Sequence, residues 1–268
     1  MIDLHIHILP GLDDGPQSSA ESLAMARHAA ADGITAVVAT PHVVLGLYDN
    51  DRDSIGQALQ VFRAELQAHD IHLAVHPGAE YRLDPNLPRL IQAGQILTLG
   101  DDGRYLLVEF PTAEIPVYAE QVFFDLALLG ITPVLAHPER NGALLHNPDQ
   151  LLPFVERGLL CQGTAGSFTG QMGSRAQQLA HYYLQRGCYH FISSDAHGVV
   201  NRMPELQAVH NIIAAYDAQA AGLLTAVNPE RLLQGQAPMS LPPSPNKYKS
   251  NHKSFTNRLW NKIAGRKY

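Results

Sequence analysis

The chemistry of this chain begins at its fifth residue. His5 and His7 flank Ile6 in the apolar stretch 2–7, which gives way to Pro10, Gly11 and the adjacent acids Asp13 and Asp14. On a β-strand, side chains two apart share a face, so His5 and His7 project together and can hold one metal ion. Carboxylates arriving in the next loop would add hard oxygen donors. The pattern recurs where later apolar runs end. Those ends read Thr40-Pro-His42, Gly78-Ala-Glu80, Val108-Glu109, His137-Pro-Glu139-Arg140 and Asp195-Ala-His197. A single such histidine is more often structural than a ligand, and His76 is close enough to Glu80 to compete with it. Together, His5, His7, His42, His137 and His197 with Asp14, Glu80, Glu109 and Asp195 exceed what one tetrahedral zinc takes. They suit two or three divalent ions bridged by carboxylate.

Residues spread over nearly the whole chain meet only if a fold collects the strand ends. Seven short apolar runs, at 2–7, 34–40, 71–76, 105–110, 132–137, 159–164 and 190–194, are separated by helical patterns. The first helix is expected to start at Ser18 with Glu21 as a capping box and to stop at Asp32-Gly33. Others are expected at 53–68, 117–129, 149–157, 173–186 and 204–216. Strands alternating with helices predict an α/β fold with a parallel sheet, and near-continuous apolar strands such as Ala36-Val-Val-Ala39 fit burial on both faces. Seven β/α units predict a distorted (β/α)7 barrel, with an open doubly wound sheet as the alternative. In a barrel the carboxyl ends of the strands form one rim that carries the active site.

The chain has 268 residues and a net charge of −6, unevenly distributed. All five lysines lie at or beyond Lys247, and with Arg258 and Arg266 the tail holds seven positive charges and no acid. The body is correspondingly acidic, a poor partner for nucleic acid, whose binding rests on neutralising phosphates. Prolines 238, 242, 243 and 245 mark a linker, so residues 1–235 are expected to form the working domain and 236–268 a linker with a basic tail. Phe255, Leu259 and Ile263 recur at helical spacing beside Trp260, predicting peripheral contact of 246–268 with an anionic membrane. No run is long enough for a membrane span, no signal peptide is evident, and two cysteines imply no disulfide framework, which fits a reducing cytoplasm.

The blocks His5-Ile-His7, Asp13-Asp14-Gly-Pro, Thr40-Pro-His42, Gly78-Ala-Glu80-Tyr-Arg82, His137-Pro-Glu-Arg140, Thr164-Ala-Gly-Ser167 and Asp195-Ala-His197 resemble the PHP (polymerase and histidinol phosphatase) superfamily. More narrowly, the chain is similar to its bacterial tyrosine-protein phosphatases of capsule and exopolysaccharide clusters. The resemblance spans about residues 1–235. It implies three divalent ions, manganese foremost, with iron, cobalt or zinc also compatible with nitrogen and oxygen donors. By residue, it implies one ion on His5, His7, Glu80 and Asp195, a second on Glu80, Glu109 and His137, and a third on Asp14, His42 and His197. Arg140 and Arg202 match the phosphate-gripping positions, although the family favours Arg-Pro-Pro where this chain has Arg202-Met-Pro204. The implied reaction is hydrolysis of phosphotyrosine by a metal-activated hydroxide, with a tyrosine kinase bearing a tyrosine-rich tail as the partner protein. Self-association into a homo-oligomer also fits.

Charge supports a phosphate ligand: four carboxylates against three divalent ions leave the site near +2 inside an acidic body. Phenolate, with a pKa of about 10, leaves readily without a dedicated acid. An ion pair of Arg140 with its neighbour Glu139 is the competing reading for that arginine. Cysteine-based phosphatase chemistry requires an arginine six residues after the nucleophile, yet Cys161 and Cys188 are followed there by Ser167 and Ser194. The rival functions are a phosphoesterase for a small ester such as histidinol phosphate, and a metal-stabilised, non-catalytic scaffold in polysaccharide export.

Overall fold

The computed structural model describes residues 1–243. Nine strands alternate with helices. They are β1 (Ile2–Ile6), β2 (Ala36–Ala39), β3 (His42–Val43), β4 (Ala74–Pro77), β5 (Glu80–Arg82), β6 (Tyr105–Glu109), β7 (Thr132–Ala136), β8 (Leu160–Thr164) and β9 (Phe191–Ser193). All ladder pairings are parallel, as βαβ connections require. The expected single barrel is replaced by two sheets, one ordered β1-β2-β4 and the other β3-β5-β6-β7-β8-β9. The reason lies in the breaks at Thr40-Pro41 and Pro77-Gly78. There a proline supplies no ladder N–H, and the chain passes from one sheet to the other.

The seam between the sheets is where the first strand ends. The amide of Asp195 donates to the His5 carbonyl at 2.9 Å, and the His7 amide donates to Ala196 at the same distance. An isolated parallel bridge joins Ile6 to Ala196. Residues 5–7 thus touch the chain leaving β9 on one side and, through the Thr40 amide on the Ile6 carbonyl, β2 on the other.

Both faces of the strands are buried. In β6, Leu106 and Val108 join the core beneath the helices, while Tyr105 and Leu107 join an inner cluster with Leu4, Val38, Val134 and Phe191. The first helix, Ser19–Ala31, is capped by Ser18, whose hydroxyl accepts from the Glu21 amide. Glu21 does not complete the box: its carboxylate accepts from the Gln17 amide at 2.7 Å. The helix Arg52–Ala68 does carry a reciprocal box, between Asp51 and Ser54. The segment expected at 149–157 is instead a 3₁₀ turn, Pro148–Leu151, running into a short helix, Leu152–Glu156.

After the helix Asn228–Leu233 the chain runs back over the body. Asn228 exchanges hydrogen bonds with Met239 at 2.8 Å, and Leu241 is buried in the main core. The Leu241 carbonyl lies where any side chain at position 187 would begin, so Gly187, with φ +68°, is required there. The expected amphipathic tail falls outside the described residues.

Candidate metal centre

His5 and His7 are fully buried, and each has its outer ring nitrogen engaged. His5 Nδ1 lies 2.8 Å from Gln162 Oε1, and His7 Nδ1 lies 2.7 Å from Asp13 Oδ2. An oxygen partner at Nδ1 fixes the tautomer and leaves Nε2 as the acceptor, as in metal-bound histidines. The two Nε2 atoms are only 3.1 Å apart, an approach that needs positive charge nearby. Asp13 also accepts from the amides of Gly15 and His42 at 2.9 Å each. A Cβ at residue 15 would stand 2.8 Å from the His7 carbonyl, so only glycine lets the loop close this tightly.

Glu80, at the start of β5, is the hub. Its Oε1 lies 2.9 Å from His137 Nε2. Its Oε2 lies 2.9 Å from His42 Nδ1, 3.3 Å from His5 Nε2 and 3.4 Å from His7 Nε2. That buried oxygen accepts no hydrogen bond of acceptable geometry, and neither His42 Nδ1 nor His197 Nε2 makes one. A carboxylate oxygen ringed by three imidazole nitrogens but receiving no hydrogen bond has the surroundings of a cation ligand. The residues therefore fit divalent ions.

The donors fall into four overlapping groups whose atoms lie within 4.8 Å of one another: His7, Asp14, His42 and His197; His5, His7 and Glu80; His5, His137 and Asp195; and His42, Glu80 and Glu109. All nine sequence-derived candidates are among them. His76 is not; it stands on β4, half-buried, its pKa lowered by burial and by Arg63. Asp14 is the outlying member, with a side chain 48% exposed and Oδ1 3.3 Å from His197 Nε2. The electrostatics favour positive charge. Burial opposes charge on His7, but the Asp13 hydrogen bond and the neighbouring Asp13 and Glu80 carboxylates overcome it and push its pKa up to about 10. Glu80 likewise resists burial and stays ionised well below the carboxylate range, held by His5, His137 and His42.

The arginines gather at the other end. Arg202 Nη2 lies 2.7 Å from Asp195 Oδ1, and Arg140 Nη1 meets Asp195 Oδ2. Arg140 does not pair with Glu139. The 3₁₀ turn Pro138–Arg140 follows His137, whose φ of +35° is left-handed, and it sends Glu139 inward. There, fully buried, Glu139 accepts from the Thr164 amide at 2.8 Å and the Tyr189 hydroxyl at 2.9 Å. Asp195 and Arg202 also have left-handed backbones, both at φ +54°, a strain that clusters at working sites.

Three contributors escaped the sequence reading as orienting groups. Asp13 was visible six residues beyond His7, but nothing in the spacing separates an orienting acid from a ligand. Gln162, with no local link to His5, gave no signal. Arg82, two residues beyond Glu80, places Nε and Nη2 each 2.9 Å from Glu109 Oε1.

A family profile described as capsular polysaccharide synthesis, CpsB/CapC, matches residues 1–234. The chain belongs to the CpsB/CapC family. It is 39% identical over 246 residues to the tyrosine-protein phosphatase YwqE of Bacillus subtilis (strain 168), covering 91% of this chain and 96% of YwqE. To the tyrosine-protein phosphatase CpsB of Streptococcus pneumoniae it is 31% identical over 243 residues, covering 88% of this chain and 99% of CpsB. A crystal structure from work on YwqE and CpsB, described there as unique metal-dependent tyrosine phosphatases, superposes with a TM-score of 0.87 at 38% identity. That match covers 91% of this chain and 99% of the other. The CpsB/CapC match ends near residue 234, just before the segment that runs back over the body.

Proposed function

We propose that this chain is a metal-dependent protein-tyrosine phosphatase serving capsular or exopolysaccharide synthesis. The observation that carries the reading is the convergence of nine nitrogen- and oxygen-bearing side chains, Glu80 among them, in a chain of a family whose named members are tyrosine phosphatases. Residues 1–235 form the phosphatase domain. Three divalent ions, manganese foremost, are held by His5, His7, Glu80 and Asp195; by Glu80, Glu109 and His137; and by Asp14, His42 and His197. Bound ions of this kind supply Lewis acidity toward phosphoryl oxygens and make water a stronger acid.

The chain's own groups do the rest. Gln162 and Asp13 hold the His5 and His7 rings in position. Arg140 and Arg202 approach Asp195 from two sides, and each retains further N–H donors in its planar fork for phosphoryl oxygens. No side chain needs to protonate a phenolate leaving group. The cysteines take no part: Cys161 and Cys188 are buried, and burial pushes both thiols up, Cys188 to about 12.

The substrate is a phosphotyrosine protein, a bacterial tyrosine kinase with a tyrosine-rich tail being the favoured one. Two free, buried cysteines and the absence, among described residues, of a helix able to cross a membrane support a cytoplasmic setting. Metal analysis of the purified protein alongside a phosphotyrosine assay tests the reading. The expected result is bound divalent metal with turnover that a chelator removes and added Mn²⁺ restores. Turnover by a metal-free protein would overturn it.

A further inference from the structure

Two loops that lead away from metal-site histidines carry exposed aliphatic side chains. The first follows His42. Val44 and Tyr48 close a tight hairpin through hydrogen bonds of 2.8 and 3.0 Å, and Gly46, at φ +77°, turns its tip with its amide on Asp49 Oδ1. The Tyr48 ring stacks on His42, centroids 5.6 Å apart and planes 12° apart, so the hairpin is anchored to the site. Its tip presents Leu45, 89% exposed, and Leu47, 65% exposed. The second loop follows His197 and is closed by the His197 amide on the Arg202 carbonyl at 2.9 Å. It presents Val200, 79% exposed, beside Val199. Single exposed apolar side chains are ordinary. Four of them, on two loops each rooted in a metal-site histidine, form a rim.

The depth of the site says what this rim meets. His5, His7 and Glu80 are fully buried, so a phosphoryl group must be carried inward on a spacer while its backbone stays outside. A tyrosyl ring provides such a spacer. The exposed charged groups on and beside the first loop are acidic, Asp14, Asp49 and Asp51, whereas Arg140 and Arg202 are turned onto Asp195. We propose that residues 44–48 and 198–201 dock the polypeptide on either side of the phosphotyrosine and select apolar flanking side chains over acidic ones. This rests on the phosphatase reading above and extends it to the substrate's sequence.

The test compares kcat/KM on free phosphotyrosine, a phosphopeptide with leucine and valine beside the phosphotyrosine, and one with glutamates there. Wild type, Leu45→Ser/Leu47→Ser and Val199→Ser/Val200→Ser are assayed as full chains with metal, their folding checked by thermal melting. Wild type is expected to favour the apolar peptide over the acidic one by about tenfold, equivalent to about 1.4 kcal/mol. In each double variant that ratio should shrink severalfold, chiefly through KM. Equal ratios in wild type and variants overturn the docking proposal while leaving the phosphatase reading intact. Failure of wild type to hydrolyse any of the three overturns both. Vesicle binding that disappears in the variants while the peptide ratio stays constant replaces the peptide with a membrane and also overturns the proposal.

Discussion

Glu80 and Asp195 are both buried carboxylates of one site, yet they keep different company. Glu80 is surrounded by imidazoles, with His5, His7, His42 and His137 all within 3.4 Å. Asp195 is gripped by two guanidiniums, Arg140 and Arg202. Imidazoles give up a proton to accept a cation, whereas arginine stays charged at any working pH. On the proposed reading, the Glu80 end suits the gathering of metal, and the arginines that hold Asp195 suit an incoming anion. The two poles are close enough to share His5 and His7, since Asp195 Oδ1 lies 3.4 Å from His5 Nε2 and 3.6 Å from His7 Nε2.

The largest effect should come from emptying the Glu80 pole. Exhaustive chelation is expected to abolish phosphotyrosine turnover, and Glu80→Ala to lose both metal and activity, whereas a thiol-alkylating reagent without denaturant, kept from the buried Cys161 and Cys188, should change neither. Activity that survives chelation, or fails on alkylation, contradicts the division of labour.

Next comes the arginine pole. Arg140→Ala should retain its metal content while kcat falls by about 10²–10³-fold, the typical cost of losing one donor aimed at transition-state charge. Arg202→Ala should fall in the same direction. If metal content falls in parallel with kcat, the poles are not separable and Arg140 serves mainly to hold Asp195.

A smaller loss is expected from the groups that steer the ligands. Asp13→Asn keeps the volume but removes the charge opposite His7, and should weaken metal affinity or turnover by about 10–100-fold, as outer-shell changes typically do. Isothermal titration of the apo-protein with Mn²⁺ would measure it, and wild-type affinity in the variant would reduce Asp13 to a loop brace.

The smallest effect sharpens the contrast from outside the site. His190 is buried like His7 but has no carboxylate beside it, and burial lowers its pKa to about 4. Below the ordinary histidine pKa of about 6.5 the unfolded chain takes up a proton that the native chain refuses, so stability falls as pH drops. Between pH 7.5 and 5.5 the loss from this residue is about 1.4 kcal/mol. Denaturant melts of wild type and His190→Asn at the two pH values should differ by about that amount. An equal pH dependence would mean that His190 is protonated in the native state.

Which features the sequence revealed follows from range. The convergence of the candidate histidines and acids was legible because most lie at or just beyond the end of an apolar run, and parallel strands bring such ends together wherever they lie in the chain. The short strands β3 and β5 were not, since a two- or three-residue extension beyond a proline or glycine carries no periodicity. Nor was the replacement of one barrel by two sheets, which follows from the breaks at Thr40-Pro41 and Pro77-Gly78. Gln162 is 157 positions from the His5 ring it orients, so only the fold relates them. Glu139 was misleading because adjacency suggests pairing with Arg140. The left-handed turn at His137 separates the two side chains, sending one into the core and the other to Asp195.

The returning segment ends on a definite side of the sheet. Leu241 and Pro243 lie against Gly187, before the amino-terminal end of β9, whereas Asp195 follows its carboxyl end. Pro243, the last described residue, therefore lies on the side of the sheet remote from Glu80 and the arginines. Anything joined to the chain at that point starts from the face opposite the Glu80 and Asp195 cluster.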